Sequence, residues 1–168
     1  MATGLAALRL LIIDDNEQMR TIIGAVLGGA GVRDLHYAPD GRRGLESLVK
    51  VKPDVVFVDY EMPELNGLGF LREARRLKGE ERFTPLIMLT GHSDLLRLNA
   101  ARDLGINEFL AKPVTAKTIL QRLGAVIFHP RPFVQSPDYV GPDRRRRVIA
   151  DYAGPRRRVA DNQNVFEI

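Results

Sequence analysis

The residues best suited to chemistry are polar side chains that directly follow short apolar runs. They are Asp14, Asp15, Asp59, Thr90 and Lys112. Three carboxylates held close together repel one another, so one stays protonated unless a hard cation such as Mg²⁺ relieves the repulsion. A lysine and a hydroxyl beside that cation suit the oxygens of a phosphoryl group, and a carboxylate can itself act as the nucleophile. Each residue alone is more often a turn former, so the prediction depends on the fold bringing all five together.

Apolar runs and helical repeats alternate along the first 128 residues. The apolar runs end near positions 13, 38, 58, 89 and 111, and the segments between them have the apolar spacing of helices. Strict alternation of strand and helix predicts an α/β fold, a five-stranded parallel sheet that is doubly wound, with helices on both faces. Ligands of such sheets bind beyond the carboxyl ends of the strands, which is where the polar residues would meet.

The same patterns predict individual helix starts and buried faces. Asp40 and Thr115 precede apolar repeats and are predicted to be N-caps. Ile22, Val49 and Leu120 fall on the apolar stripes of three helices and are predicted to face the core.

Composition excludes several classes of protein. The 168 residues include no cysteine, which excludes a disulfide framework, a thiolate nucleophile and a cysteine-ligated zinc site. No apolar run approaches the ~18 residues of a membrane span, and acidic residues come too early for a signal peptide. A cytoplasmic protein without a membrane partner is therefore expected.

The excess positive charge lies mostly in the tail. The whole chain has 25 Lys and Arg against 21 Asp and Glu, a net charge of +4 and a pI of about 9.7. Residues 1–128 contain 17 basic and 16 acidic residues, whereas residues 129–168 contain eight arginines and five acidic residues. A basic pI favours acidic partners, but here it describes the tail and not the body.

Four stretches of the sequence resemble the receiver domain of two-component response regulators. They are Leu11–Asp15, Val58–Gly67, Leu89–Gly91 and Phe109–Pro113. The resemblance covers residues of about 8–128 and implies a receiver domain over 1–128, with a flavodoxin-like strand order of 2-1-3-4-5. It also implies a stand-alone, chemotaxis-type regulatory phosphoprotein of a phosphorelay, with no catalytic turnover beyond its own phosphotransfer and dephosphorylation. The donor would be a sensor histidine kinase or a phosphotransfer protein.

The resemblance assigns roles to the acidic residues. Asp59 would be the phosphoacceptor. Asp14 and Asp15 would hold Mg²⁺, the implied cofactor, together with Asp59 and the main-chain oxygen of Glu61. The side chain of Glu61, two residues after the acceptor, and that of His92, two residues after the threonine, lie at positions that tune the lifetime of the phosphoryl group in this family.

The resemblance also implies how the signal leaves the site. Lys112 would contact the phosphoryl group, and its bond to Pro113 is cis in similar proteins. Thr90 would be the switch hydroxyl, drawn toward the phosphoryl group so that the switch aromatic Phe109 turns inward. Phe109 lacks the hydroxyl of the tyrosine often found there. The output partner would bind the fourth helix, fifth strand and fifth helix, over residues of about 94–128.

The last 40 residues, 129–168, contain five prolines and an approximate repeat. Asp-Tyr-x-Gly-Pro followed by arginines occurs at 138–145 and again at 151–158. One interpretation is an irregular, flexible Pro/Arg-rich extension without enough apolar surface to fold. The other is a docking element for an acidic partner, because arginine binds carboxylates and phosphates with two parallel hydrogen bonds. No folded nucleic-acid reader fits so short a segment, so nucleic acid is not the expected partner.

Two other functions remain open from the residues alone. A Mg²⁺-dependent phosphatase could use Asp59 as its nucleophile and Glu61 as a second acid, but nothing in the sequence builds a cap over a substrate. A nucleic-acid binder could act through the arginine-rich tail, and its affinity would then fall steeply with salt.

Overall fold

A five-stranded parallel sheet lies at the centre of the computed structural model, which describes residues 3–91, 95–144 and 165–166. Each strand ends close to the residue predicted from its apolar run, and the order β2-β1-β3-β4-β5 confirms the predicted doubly wound topology. The strands are β1 (Arg9–Ile13), β2 (Asp34–Ala38), β3 (Val55–Asp59), β4 (Leu86–Thr90) and β5 (Glu108–Ala111).

Five helices connect and cover these strands. Asp40 and Thr115 cap two of them as predicted, since their side chains accept the backbone N–H of Arg43 and of Thr118. No helix in the part of the chain that the structure describes is long and apolar enough to cross a bilayer. The helices are α1 (Glu17–Gly29), α2 (Gly41–Val51), α3 (Gly67–Arg76), α4 (Leu95–Asp103) and α5 (Ala116–Phe128), with single turns at Thr3–Ala6 and Glu80–Phe83.

Alternate residues of each strand enter two separate core layers. Leu10 and Ile12 of β1 pack with the layer beneath α1 and α5, whereas Leu11 and Ile13 join the layer beneath α2, α3 and α4. All four side chains are fully buried, as strands covered on both faces require. The central strands are therefore fixed on both faces, which holds their carboxyl ends in place.

Three apolar side chains do not face the core, contrary to the predictions from periodicity. Ile22 is 49% exposed, Val49 is 46% exposed and Leu120 is 37% exposed. Each lies at the margin of its apolar stripe, and a helix lying on a flat sheet buries only a narrow strip of its surface. Their neighbours Ile23, Leu48 and Ile119 are fully buried.

The first part of the extension is regular, which corrects the prediction of an irregular tail. β6 (Phe133–Ser136) and β7 (Tyr139–Pro142) form an antiparallel hairpin, and β8 (Val165–Phe166) pairs with the start of β6. This hairpin, residues 133–142, is called the C-terminal hairpin below. It contains the whole of the first Tyr-x-Gly-Pro sequence, residues 139–142, whereas the second copy at 151–158 lies outside the described residues.

Aromatic packing and a close backbone approach fix the C-terminal hairpin to the body. Phe133 is 1% exposed and meets the ring of Phe83 edge-on at 5.9 Å. Gly141 lies against Gly105 in the loop between α4 and β5, and a Cβ atom on Gly141 would come within 2.5 Å of the Gly105 Cα. Gly105 itself has a φ of +94°, which favours glycine. The glycine of the Tyr-x-Gly-Pro motif is thus needed for contact with the body.

Candidate functional site

Strand register brings the predicted polar residues to one edge of the sheet. Ile13 of β1 pairs with Val58 of β3, so the next residues along each strand, Asp14 and Asp59, lie side by side. On the other side, the register of β4 with β5 pairs Thr90 with Ala111, the residue before Lys112. The Lys112 N–H also donates to the Thr90 carbonyl at 2.9 Å.

Asp14, Asp15 and Asp59 form a compact acidic cluster. One carboxylate oxygen of each lies within 4.8 Å of the others. Asp14 is 1% exposed and Asp59 is 3% exposed, whereas Asp15 faces solvent. Oδ1 of Asp14 accepts the Asn16 N–H at 2.9 Å, but its buried Oδ2 has no hydrogen-bond partner among the described residues. An unsatisfied buried carboxylate oxygen is costly unless something else binds it.

Burial raises the pKa of Asp14 to about 6, and repulsion from Asp59 adds to this, although the hydrogen bond from Asn16 opposes it. A bound cation would remove this penalty by stabilising the ionised form. Carboxylate oxygens are the ligands that Mg²⁺ prefers. The cluster, with its unpartnered inward oxygen, therefore fits a hard divalent cation.

Lys112 makes a close contact with Asp59. Its Nζ lies 2.7 Å from Oδ1 of Asp59. Burial raises the pKa of Asp59, and the hydrogen bond and charge of Lys112 oppose that rise. The bond from Lys112 to Pro113 is cis. Lys112 is in position to contact an anionic group attached to Asp59.

The loop after β3 requires a glycine beside Asp59. A Cβ atom on Gly67 would lie 2.5 Å from the Asp59 carbonyl and 2.9 Å from the Cα of Tyr60. The Gly67 N–H donates to the Tyr60 carbonyl at 2.9 Å, which closes the loop. The glycine of the Asp-x-x-Met-Pro-x-x-x-Gly segment lets α3 start directly against Asp59.

Arg97 of α4 contacts the loop after β3, and this contact is not predicted from the sequence. Its guanidinium lies 3.2 Å from a carboxylate oxygen of Glu61 and stacks over the ring of Tyr60 at 4.9 Å. Arg97 and Glu61 are 36 residues apart in the sequence, so no local sequence pattern connects them. The side chain of Glu61 is thus held toward α4 at the mouth of the site.

The two predicted switch residues lie on β4 and β5. Thr90 is 7% exposed at the end of β4. Phe109 is half-buried, packs against the core layer under α4, and lies 5.8 Å beneath the guanidinium of Arg102. His92, the second predicted lifetime-tuning residue, lies outside the described residues.

A doubly wound sheet with buried acids, a lysine and a threonine at its carboxyl edge is an α/β domain suited to bind a cation and an anionic group together. Residues 10–124 match the response regulator receiver domain family. The chain belongs to this family, so it contains a receiver domain of the kind used in two-component signalling. The family match does not include the C-terminal hairpin.

Individual relatives agree with the family. The chain is 31% identical over 123 residues to chemotaxis protein CheY1 of Helicobacter pylori, covering 71% of this chain and 97% of that protein. Its structure is similar to that of Vibrio cholerae chemotaxis protein CheY4, with a TM-score of 0.67 and 29% identity over 71% of this chain and 98% of the other.

A longer relative matches only in part. The chain is 38% identical over 111 residues to a protein-glutamate methylesterase/protein-glutamine glutaminase of Treponema pallidum. The match covers 62% of this chain but only 26% of the relative, so the chain spans about a quarter of that protein.

Proposed function

We propose that this protein is a phosphorylation-dependent switch in which Asp59 accepts a phosphoryl group from a histidine kinase or a phosphotransfer protein. Receiver domains of response regulators interact with such donors. The observation that carries the proposal is the 2.7 Å contact of Lys112 with Asp59 beside two further carboxylates. A cytoplasmic location, expected from the sequence, is part of the proposal.

Asp14, Asp15 and Asp59, with the main-chain oxygen of Glu61, would hold Mg²⁺. The ion would supply positive charge to the oxygens of the transferred group. The Oδ2 atom of Asp14 supports this assignment, because it is buried, has no hydrogen-bond partner among the described residues and can therefore bind the ion.

In the transfer, an oxygen of the Asp59 carboxylate attacks phosphorus as the bond from phosphorus to the donor imidazole nitrogen breaks. The electron pair of the broken bond stays on that nitrogen. Lys112 binds an oxygen of the transferred group, and the hydroxyl of Thr90 binds another. The low exposure of Asp59 limits access by water, which slows hydrolysis of the acyl phosphate.

Phosphorylation adds charge and strong acceptor oxygens at Asp59, and this would draw Thr90 inward. Phe109 would follow into the space, and the surface made by α4, β5 and α5 would change for an output partner. The change is a shift of population between two packings of the same residues.

Intact mass measured after incubation with Mg²⁺ and a small acyl phosphate tests the proposal. We expect one phosphoryl adduct on the wild-type protein and none on Asp59→Asn, because the amide is not a nucleophile of comparable strength. Asp54→Asn, which neutralises an acid at the opposite end of β3, is the matched control and should keep the adduct. An adduct retained by Asp59→Asn would contradict the proposal, and steady turnover of phosphate esters without an adduct would favour a phosphatase.

Glu61→Gln should lengthen the lifetime of the phosphoryl group by about threefold or more, because the carboxylate can accept a proton from an attacking water. Decay of the adduct measured over time after removal of the donor reports this lifetime. Glu64→Gln removes an exposed acid three residues along the same loop and should leave the decay unchanged. Equal decay in the Glu61 variant and the wild type would show that the side chain has no role in hydrolysis.

A further inference from the structure

A groove separates the C-terminal hairpin from α4 and β5. Its volume is about 470 Å³. The body contributes Asn99, Arg102 and Phe109 to its walls, and the extension contributes Arg131, Tyr139 and Arg144. Because Phe109 is the predicted switch aromatic, the groove lies on the face where an output partner is expected.

The walls of the groove are held in place. Arg131 donates to the carbonyls of Asn107 and Asp143, which joins the start of the extension to the body and to the end of the hairpin. On the other side, Arg144 pairs with Asp103 at 3.1 Å and also donates to the Asp103 carbonyl at 3.2 Å. The groove is therefore formed before any partner binds.

The charges around the groove do not balance. Its two acidic side chains already have partners, since Asp103 pairs with Arg144 and Glu108 pairs with Arg122 at 3.4 Å. Arg102 and Arg131 contact no carboxylate among the described residues. The groove thus retains positive charge from two guanidinium groups, and three more arginines directly follow Arg144 in the sequence.

Aromatic surface lies between the charges. Arg102 stacks on Phe109 at 5.8 Å, and Arg144 stacks on Tyr139 at 4.3 Å. Tyr139 is only 9% exposed and its hydroxyl donates to the Pro142 carbonyl at 2.7 Å, so it closes the wall of the groove, whereas the ring of Phe109 is partly exposed. A small inorganic anion could use the guanidinium groups but not this surface.

We propose that the groove binds an acidic segment of a partner protein, with carboxylates at Arg102 and Arg131 and an apolar side chain against the partly exposed ring of Phe109. Guanidinium groups bind carboxylates through two parallel hydrogen bonds, and aromatic residues commonly anchor peptide partners. This deepens the proposed function by naming the chemistry of an output partner, and it rests on that function for its role in signalling. Binding itself needs no phosphoryl group.

The test uses the full chain and a short fluorescent peptide in which glutamates flank leucines, with fluorescence anisotropy as the readout. We expect saturable binding of this peptide and none of the same peptide with glutamine in place of glutamate. Arg102→Gln should weaken binding, and the double variant Arg102→Gln/Arg131→Gln should weaken it by about tenfold, as the loss of two ion pairs implies. The control Arg33→Gln/Arg72→Gln removes the same charge from exposed positions outside the groove and should bind as the wild type does.

The single variant Arg102→Gln separates loss of peptide binding from loss of the hairpin's position. Arg102 is exposed and contacts Phe109, so this variant should keep the hairpin docked. Three outcomes would overturn the proposal. They are no binding of the acidic peptide, equal weakening by the control pair, and full displacement of the peptide by inorganic phosphate at equal concentration. The Asp59 adduct is measured without the peptide, so failure of the groove proposal leaves the phosphoacceptor proposal standing, and the reverse also holds.

Discussion

Arg75→Leu should lower the free energy of unfolding by about 3–5 kcal/mol, because it leaves several buried carbonyl oxygens without partners. The Arg75 guanidinium donates to the carbonyls of Arg82 and Thr84 at 2.7 and 2.8 Å. It also donates twice to the Gly105 carbonyl, at 3.1 and 2.9 Å, and once to Oδ1 of Asn107 at 3.0 Å. One side chain thus joins α3 to the turn before β4 and to the loop before β5.

The environment of Arg75 explains why its loss should cost so much. Arg75 is 6% exposed, and burial lowers its pKa to about 9. Its hydrogen-bond acceptors are neutral, so the charge is stabilised by carbonyl dipoles and by the ring of Phe133 at 5.1 Å. Leucine fills part of the volume but supplies no donor.

Urea denaturation monitored by circular dichroism measures the effect. Arg76→Leu is the matched control, because Arg76 is the next residue of the same helix and is exposed, and among the described residues it makes only a 3.6 Å pair with Glu73. The control should change stability by less than about 1 kcal/mol, as surface ion pairs do. Arg75→Lys keeps a charge but not the planar fork and should also be strongly destabilised. A loss below that of Arg76→Leu would show that the buried carbonyls find other partners.

The site could be predicted from the sequence because its parts follow from strand alternation. Each of Asp14, Asp59 and Lys112 comes at or just after the carboxyl end of a buried apolar run. In a parallel sheet those ends lie along one edge, so their spacing in the sequence does not matter.

Arg75 could not be predicted from the sequence, because it and Arg76 look alike there. Both lie in the last turn of α3, where basic residues are common for electrostatic reasons. Which of the two is buried depends on the turn at Glu80–Phe83, which lies beyond the end of the helix, and on the C-terminal hairpin, which comes from a distant part of the sequence. Helical periodicity indicates which residues share one face of a helix, but it does not indicate which other elements pack against that face.

The C-terminal hairpin was missed for a related reason. Five prolines and many arginines suggested too little apolar surface to fold, and the segment has little of its own. Phe133 and Tyr139 are nevertheless buried, because the body supplies Phe83, Arg75 and the backbone at Gly105 as their surroundings. The hairpin folds against an existing surface, which a local count of apolar residues does not reveal.

Asp14→Asn should stabilise the metal-free protein by about 2 kcal/mol at neutral pH, since it removes a buried charge. The amide oxygen of asparagine can still accept the hydrogen bond from the N–H of Asn16, so the local turn should persist. The same change should abolish most of the stabilisation by Mg²⁺, because a neutral amide is a weaker ligand than a carboxylate. Thermal unfolding with Mg²⁺ and with a chelator measures both effects.

The pH dependence follows from the sign of the Asp14 shift. Burial raises its pKa from the ordinary value of 3.8 to about 6, so the folded protein binds a proton at this carboxyl that the unfolded chain releases. The contribution of Asp14 to the stability of the metal-free protein is therefore greatest below about pH 4 and is lost as the pH rises through 6. The gain from Asp14→Asn should accordingly be small at pH 4 and full above pH 7.

Asp138→Asn makes the same chemical change at an exposed position and should show no such dependence. Equal stabilisation of wild type and Asp14→Asn by Mg²⁺ would remove Asp14 from the proposed ligands, and a variant less stable at every pH would show that its carboxylate is satisfied without a cation.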